Sequence, residues 1–172
     1  QINSINDIQS ICIDLEHSYM GDLVIQIQCP TGQMVTLHQQ GGGGTYLGVP
    51  IDNGSNIQCS PPYPQTANQG TPWTYCFTPN ATQTWVDWVN AQGGWGLTLP
   101  AGNYASVDPL SGLIGCPANG TWQIIVTDNW GADDGNITGF SLNLDPSFYP
   151  TSNQFTPHIG AGVDSSFWVG PF

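Results

Sequence analysis

The chain has 172 residues with no Lys or Arg, 12 Asp and Glu together, and three His, giving a formal charge of -12. Without a basic side chain no surface can neutralise phosphates, which excludes nucleic-acid binding by counterion release and makes anionic membranes poor partners. A catalytic Lys, an arginine clamp and every Lys/Arg–carboxylate ion pair are excluded as well, while 39% hydrophobic residues argue for a packed globule and 22 Gly with 14 Pro favour short turns over long helices.

Residues 10–16 alternate, with Ile11, Ile13 and Leu15 on one face, and residues 22–28 alternate with Leu23, Ile25 and Ile27. The short link His17-Ser18-Tyr19-Met20-Gly21 between them predicts a hairpin. A third strand is expected over residues 34–38, after which Gly41 to Gly44 break regular structure. Residues 45–72 show little periodicity and read as a long loop pinned by Cys59. Residues 73–78 suit a strand, residues 81–89 the one short helix, and residues 96–99 another short strand. Residues 121–128 form a strong strand pattern with Trp122, Ile124 and Val126 on one face. An acidic turn then leads into a return strand over residues 136–144, where Phe140, Leu142 and Leu144 alternate.

Strong strand pairs at the two ends and a decorated middle predict an all-β fold, an antiparallel β-sandwich or jelly roll whose first and last strands meet in one sheet. The expected organisation is one sandwich over residues 1–145, loop-rich from 45 to 110, and an extended tail or linker over 146–172.

Five cysteines, Cys12, Cys29, Cys59, Cys76 and Cys116, are too scattered for a zinc site and read as disulfides, hence a secreted or surface location. One of the five stays over, and fifteen two-bridge arrangements remain open. No apolar run reaches 18 residues, and no positively charged segment opens the chain, so a leader peptide is expected to be absent or removed.

His17-Ser18-Tyr19-Met20-Gly21-Asp22-Leu23-Val24-Ile25-Gln26-Ile27, followed by Cys29-Pro30-Thr31-Gly32 and Val35-Thr36-Leu37, resembles the opening of the P domain of subtilisin-like proprotein convertases. Asn119-Gly120-Thr121-Trp122, Ile124, Val126 and Asp128, then Asp133-Asp134-Gly135 and Phe140-Ser141-Leu142, resemble its closing segment. The tetra-glycine, Tyr75-Cys76-Phe77 and Gly115-Cys116-Pro117 are similar to the form found in large secreted proteins of Bacteroidetes-type bacteria. The resemblance implies a jelly-roll sandwich inside a multidomain surface protein. The middle, residues 45–110, is longer than in a convertase P domain.

Asp14, Glu16 and Asp22 bracket the first strand pair, and Asp128, Asp133 and Asp134 line the last. Were the first and last strands neighbours, these six acids could converge on calcium, which takes six to eight oxygen ligands and needs neither His nor Cys. With no basic residue to pair them, a divalent ion is the available remedy for clustered carboxylates; the bland reading is a set of solvated turn aspartates. His17, His38 and His158 match no zinc spacing, and a Cys–His nucleophile, a glycosidase carboxylate pair or a phosphate loop has no support. Trp122 reads as core, while Trp85, Trp88, Trp95 and Trp130 fall in irregular segments, where interface contact, loop packing or sugar stacking are the options.

The expectation is a non-catalytic, secreted, calcium-binding structural or adhesive module whose partners are neighbouring domains or copies of itself. A regulatory P domain of a secreted subtilisin-like protease is the alternative, and a carbohydrate-binding module for surface glycans is the second.

Overall fold

The computed structural model describes residues 1–51, 70–131 and 133–148. The elements are β1 (Ile8–His17), β2 (Leu23–Gln28), β3 (Met34–His38), β4 (Tyr46–Leu47), β5 (Trp73–Phe77), α1 (Trp85–Gln92), β6 (Thr98–Leu99), β7 (Gly102–Tyr104), β8 (Gln123–Asp128) and β9 (Gly135–Leu144), with four 3₁₀ turns between and around them. Cys59, His158 and Trp168, and the tail beyond Phe148, lie outside the described residues.

Two sheets make the sandwich. In the larger, β1 is flanked by β9 along its whole length and by β5 and β4 on the other side, with β7 parallel to β5 and β6 parallel to β4. The smaller sheet is antiparallel, in the order β3-β2-β8. The first and last strands of the chain therefore pair directly, from Ile8 with Leu144 to His17 with Gly135, as the sequence order suggests.

Both expected hairpins are corrected. β1 lies in the larger sheet and β2 in the smaller, and the same holds for β9 and β8, so each connection carries the chain from one sheet to the other. Alternation fixes which face of a strand is buried but not whether the next strand lies beside it or opposite it. The connection after β1 holds a 3₁₀ turn, Met20–Asp22, instead of a two-residue reversal, and this aims β2 across the core.

Ile11, Ile13 and Leu15 of β1 meet Ile25 and Ile27 of β2 and Tyr75 and Phe77 of β5 in a single core. Each such fully buried side chain stabilises the fold by about 1.5–3 kcal/mol. One side of the sandwich is closed by α1. Thr84 caps this helix, its hydroxyl accepting from Asp87 N at 3.1 Å while the Asp87 carboxylate accepts from Thr84 N at 3.0 Å. The helix delivers Trp85 into an aromatic cluster with His38, Tyr75, Phe77 and Tyr104. Trp85 is thus core, not a contact surface.

The opposite side is less complete. Among the described residues β8 and β9 each pair along one edge only. There Ile137 is 44% and Phe140 43% exposed, and Trp122, Ile124, Val126 and Leu142 are half-buried against the core. Two disulfides complete the frame, Cys12–Cys76 between adjacent strands and Cys29–Cys116.

Candidate functional site

Residues 17–22, 128–129 and 134 of the two motifs come together at one end of the sandwich, where both sheet-to-sheet crossings lie side by side. Asn129 N and Nδ2 both donate to Asp22 O, at 3.1 and 2.9 Å. Ser18 N donates to Asp134 O at 3.1 Å, and Asp134 N donates back to Ser18 Oγ at 3.2 Å. The glycine run is the third strand of this corner. Met20 N donates to Thr45 O, Gly21 N to Gly43 O and Gly41 N to Gly21 O, at 2.9, 3.0 and 3.2 Å.

His17 is buried between the two crossings. Its Nδ1 accepts from Tyr19 N at 3.0 Å, so its remaining proton sits on Nε2, which stands 3.5 Å from Asp128 Oδ2. Asp22 lies in the same field: burial first, then the Asp133 and Asp128 charges, push its carboxyl above the ordinary range, and His17 partly opposes them.

The six acids singled out from sequence therefore fall in two places. Asp22, Asp128, Asp133 and Asp134 belong to the corner. Asp14 and Glu16 stand on the outer face of the larger sheet, since they alternate with the core residues Ile13 and Leu15. Asp14 Oδ1 accepts from Thr74 Oγ1 at 2.6 Å. Glu16 is 2% exposed; its Oε1 accepts from Asn136 Nδ2 at 2.6 Å and Gly70 N at 3.3 Å, while Oε2 has no hydrogen-bond partner among the described residues. The six do not surround one point, and among the described residues no three His, Cys, Asp or Glu side chains stand at metal-ligand spacing. As a single six-ligand calcium cage the set does not fit.

The sequence names several contributors without showing what they touch. Gly42 leaves room for Met20 Cε, which a Cβ there would meet at 2.0 Å, and the indole of Trp95 lies over Gly43 and Gly44, 3.6 and 3.5 Å from where their Cβ atoms would be. Trp95 is nevertheless 75% exposed, and Trp130, next to Asn129, is 66% exposed, so this end carries two largely open indoles. Deeper in, Tyr75 OH donates to Leu99 O and accepts from Gly48 N, and burial pushes its phenol up to about 12. His38 Nε2 lies 3.2 Å from Met20 O, and burial pushes its imidazole down to about 4. The four described cysteines are bridged and present no thiolate.

The arrangement is a set of cross-links holding two crossings and a glycine loop together. A family model described as the proprotein convertase P-domain matches residues 7–144, from the start of β1 to the end of β9. No curated protein and no solved structure matches the chain.

Proposed function

Because the chain belongs to the proprotein convertase P-domain family, we propose that it serves as a non-catalytic, secreted structural or adhesive module, presented at a cell surface and built into a larger extracellular assembly. One observation carries the reading: the polar groups of the motif are spent on bonds inside the molecule. His17, Ser18, Gly21, Asp22, Asn129 and Asp134 hold the crossings to each other or to the glycine loop. A site of this kind fixes a shape and leaves no nucleophile–base pair to act on a substrate. The two disulfides support an oxidising, extracellular setting.

Calcium enters this proposal only at the corner. Burial first, and then the charges of Asp133 and Asp128, hold the Asp22 carboxyl high, and the chain has no Lys or Arg to relieve it. A divalent ion held there through carboxylates and waters would lower that cost. The test of the overall role is labelling of intact and permeabilised cells with an antibody to this chain. Labelling of intact cells supports the surface module, and signal confined to permeabilised cells overturns it.

The family match favours one second reading, a P domain that supports a secreted subtilisin-like protease. A protease whose folding yield or thermal stability depends on this module supplied in trans would establish that role, and a module without such an effect would remove it.

A further inference from the structure

We propose that β9 is a self-assembly edge, and that a second copy of this chain adds its own β9 antiparallel to it, extending the larger sheet across a two-fold axis. This deepens the assembly reading above by naming the partner and the strand.

Three observations converge on β9. It is ten residues long, and among the described residues it pairs on one side only, with β1. Edge strands of that length are ordinarily guarded by charge or proline. β9 reads Gly-Asn-Ile-Thr-Gly-Phe-Ser-Leu-Asn-Leu and contains neither. The rest of the sandwich leaves this side open, with Ile137 and Phe140 exposed beside half-buried Ile124 and Val126, whereas α1 closes the other side with Trp85. Covering such a seam removes apolar area from water.

The charge pattern selects the occupant. Two chains of charge -12 repel at nearly every approach. A basic partner would be drawn to the acidic corner, not to an uncharged strand. A second copy meets the least repulsion where the facing strand itself carries no charge, and β9 is a ten-residue strand of that kind, with the acids Asp134 and Asp145 at its ends and Asp14 and Glu16 beside it on β1.

The strand is also chemically similar in its two directions. An antiparallel two-fold axis at Ser141 sets Gly139 opposite Asn143 and Phe140 opposite Leu142 of the other copy. Both pairs agree in face. Gly139 and Asn143 are the register partners of Asp14 and Ser10 on the outer side of β1, and Phe140 and Leu142 are those of Ile13 and Ile11 on its core side. No register shift falls between Ser10 and Asp14, so β9 keeps one parity from Gly139 to Asn143. The two Phe140 rings then become diagonal neighbours at the axis, on the side where both sandwiches are open.

The test is sedimentation equilibrium of the full chain over a range of concentrations at low and moderate salt, with hydrogen exchange of the β9 amides under the same conditions. A dimer should form and tighten as salt screens the like charge of the two chains, and the β9 amides should slow as concentration rises. Ile137→Glu and Phe140→Glu, both at exposed positions, should each weaken association by at least ~10-fold, since each places like charges about the axis. A monomer at every concentration and salt overturns the proposal, as does an oligomer whose β9 amides exchange independently of concentration. The exchange readout needs no variant, so it stands if a substitution fails to fold. A strictly monomeric chain that still labels intact cells would refute β9 pairing and leave the surface role intact.

Discussion

His17 Nε2 stands 3.5 Å from Asp128 Oδ2, joining the last residue of β1 in one sheet to the last residue of β8 in the other. The same ring accepts from Tyr19 N through Nδ1, so one side chain ties together both crossings of the sandwich. His17→Ala leaves the half-buried Tyr19 amide without its acceptor, at a cost of about 1–3 kcal/mol, while the Asp128 carboxylate, 36% exposed, turns to water. His17→Asn, whose side-chain oxygen can replace Nδ1 as acceptor, should recover part of that loss. Urea unfolding of the three proteins decides it, and equal midpoints for wild type and His17→Ala would refute the account.

His38 gives the fold an acid-sensitive window. Burial holds its imidazole at about 4 in the folded chain, against about 6.5 when unfolded. Between those values the unfolded chain binds a proton that the folded chain does not, so stability falls as pH drops through the window, by about 3 kcal/mol in all. Asp87 and Asp145, whose carboxyls are held low by bonds from Thr84 and Ser147, add their losses only at lower pH. Thermal melts from pH 7 to 4 should show the decline, and it should shrink in His38→Gln. Parallel profiles for the two proteins would count against this role of His38.

The disulfides close long loops, with sequence separations of 64 and 87. Chain-entropy estimates give about 4 kcal/mol for either bridge alone. The loops overlap, so the two contributions do not add in full. Reduction should lower the melting temperature sharply, and replacing either cysteine pair by Ala, which leaves the other bridge in place, should produce less than half of that effect. A melt unchanged by reductant would contradict the estimate.

Gly135 and Gly93 separate two reasons for glycine. A Cβ on Gly135 would lie 2.3 Å from Glu16 O and 2.8 Å from His17 Cα, so the β1–β9 ladder itself must move. Gly93 caps α1 at φ 89 with open space around it, so an alanine there costs only backbone strain, about 1 kcal/mol. Gly135→Ala should cost at least ~2 kcal/mol by comparison. Chemical denaturation of both variants tests the order, and a larger loss for Gly93→Ala would reverse it.

Calcium acts on the corner in a way that Asp22 can report. Asp22→Asn removes the carboxyl whose ionisation is hindered by burial and by Asp133 and Asp128, so in chelator at pH 7 this variant should melt above wild type. Added calcium should raise the wild-type melting temperature and move the variant less. Wild type indifferent to both calcium and chelator would end the calcium proposal.

Much of this architecture was legible in the residues. β3 lies where its alternation places it, over Met34–His38, and β9 extends the expected strand by one residue. The pairing of first and last strands follows from the same pattern. The sheet assignment did not follow, because Ile11, Ile13 and Leu15 look alike whether Ile25 and Ile27 sit beside them or across the core. β4, with two residues, and β7, with three, are too short for a period, and parallel partners from distant segments hold them in place. The helix begins at Trp85, after the Thr84–Asp87 capping box, a spacing visible in the sequence. The acidic site shows the same limit. Alternation with Ile13 and Leu15 already assigns Asp14 and Glu16 to the outer face, whereas the company kept by Asp22 depends on where two crossings meet.

The β1–β9 ladder has a mechanical consequence. Load applied through the flanks of the sandwich reaches the Ile8–Leu144 pair first, at the end of the ladder, so the strands peel apart one pair at a time instead of sliding past each other. The β1 arm of the load path ends at Cys12. There the bridge to Cys76 passes tension directly across, and residues 13–75 drop out of the force path. In a stretched polypeptide the module could therefore never release that part of its length, however far β9 peels, for as long as that bond stays oxidised.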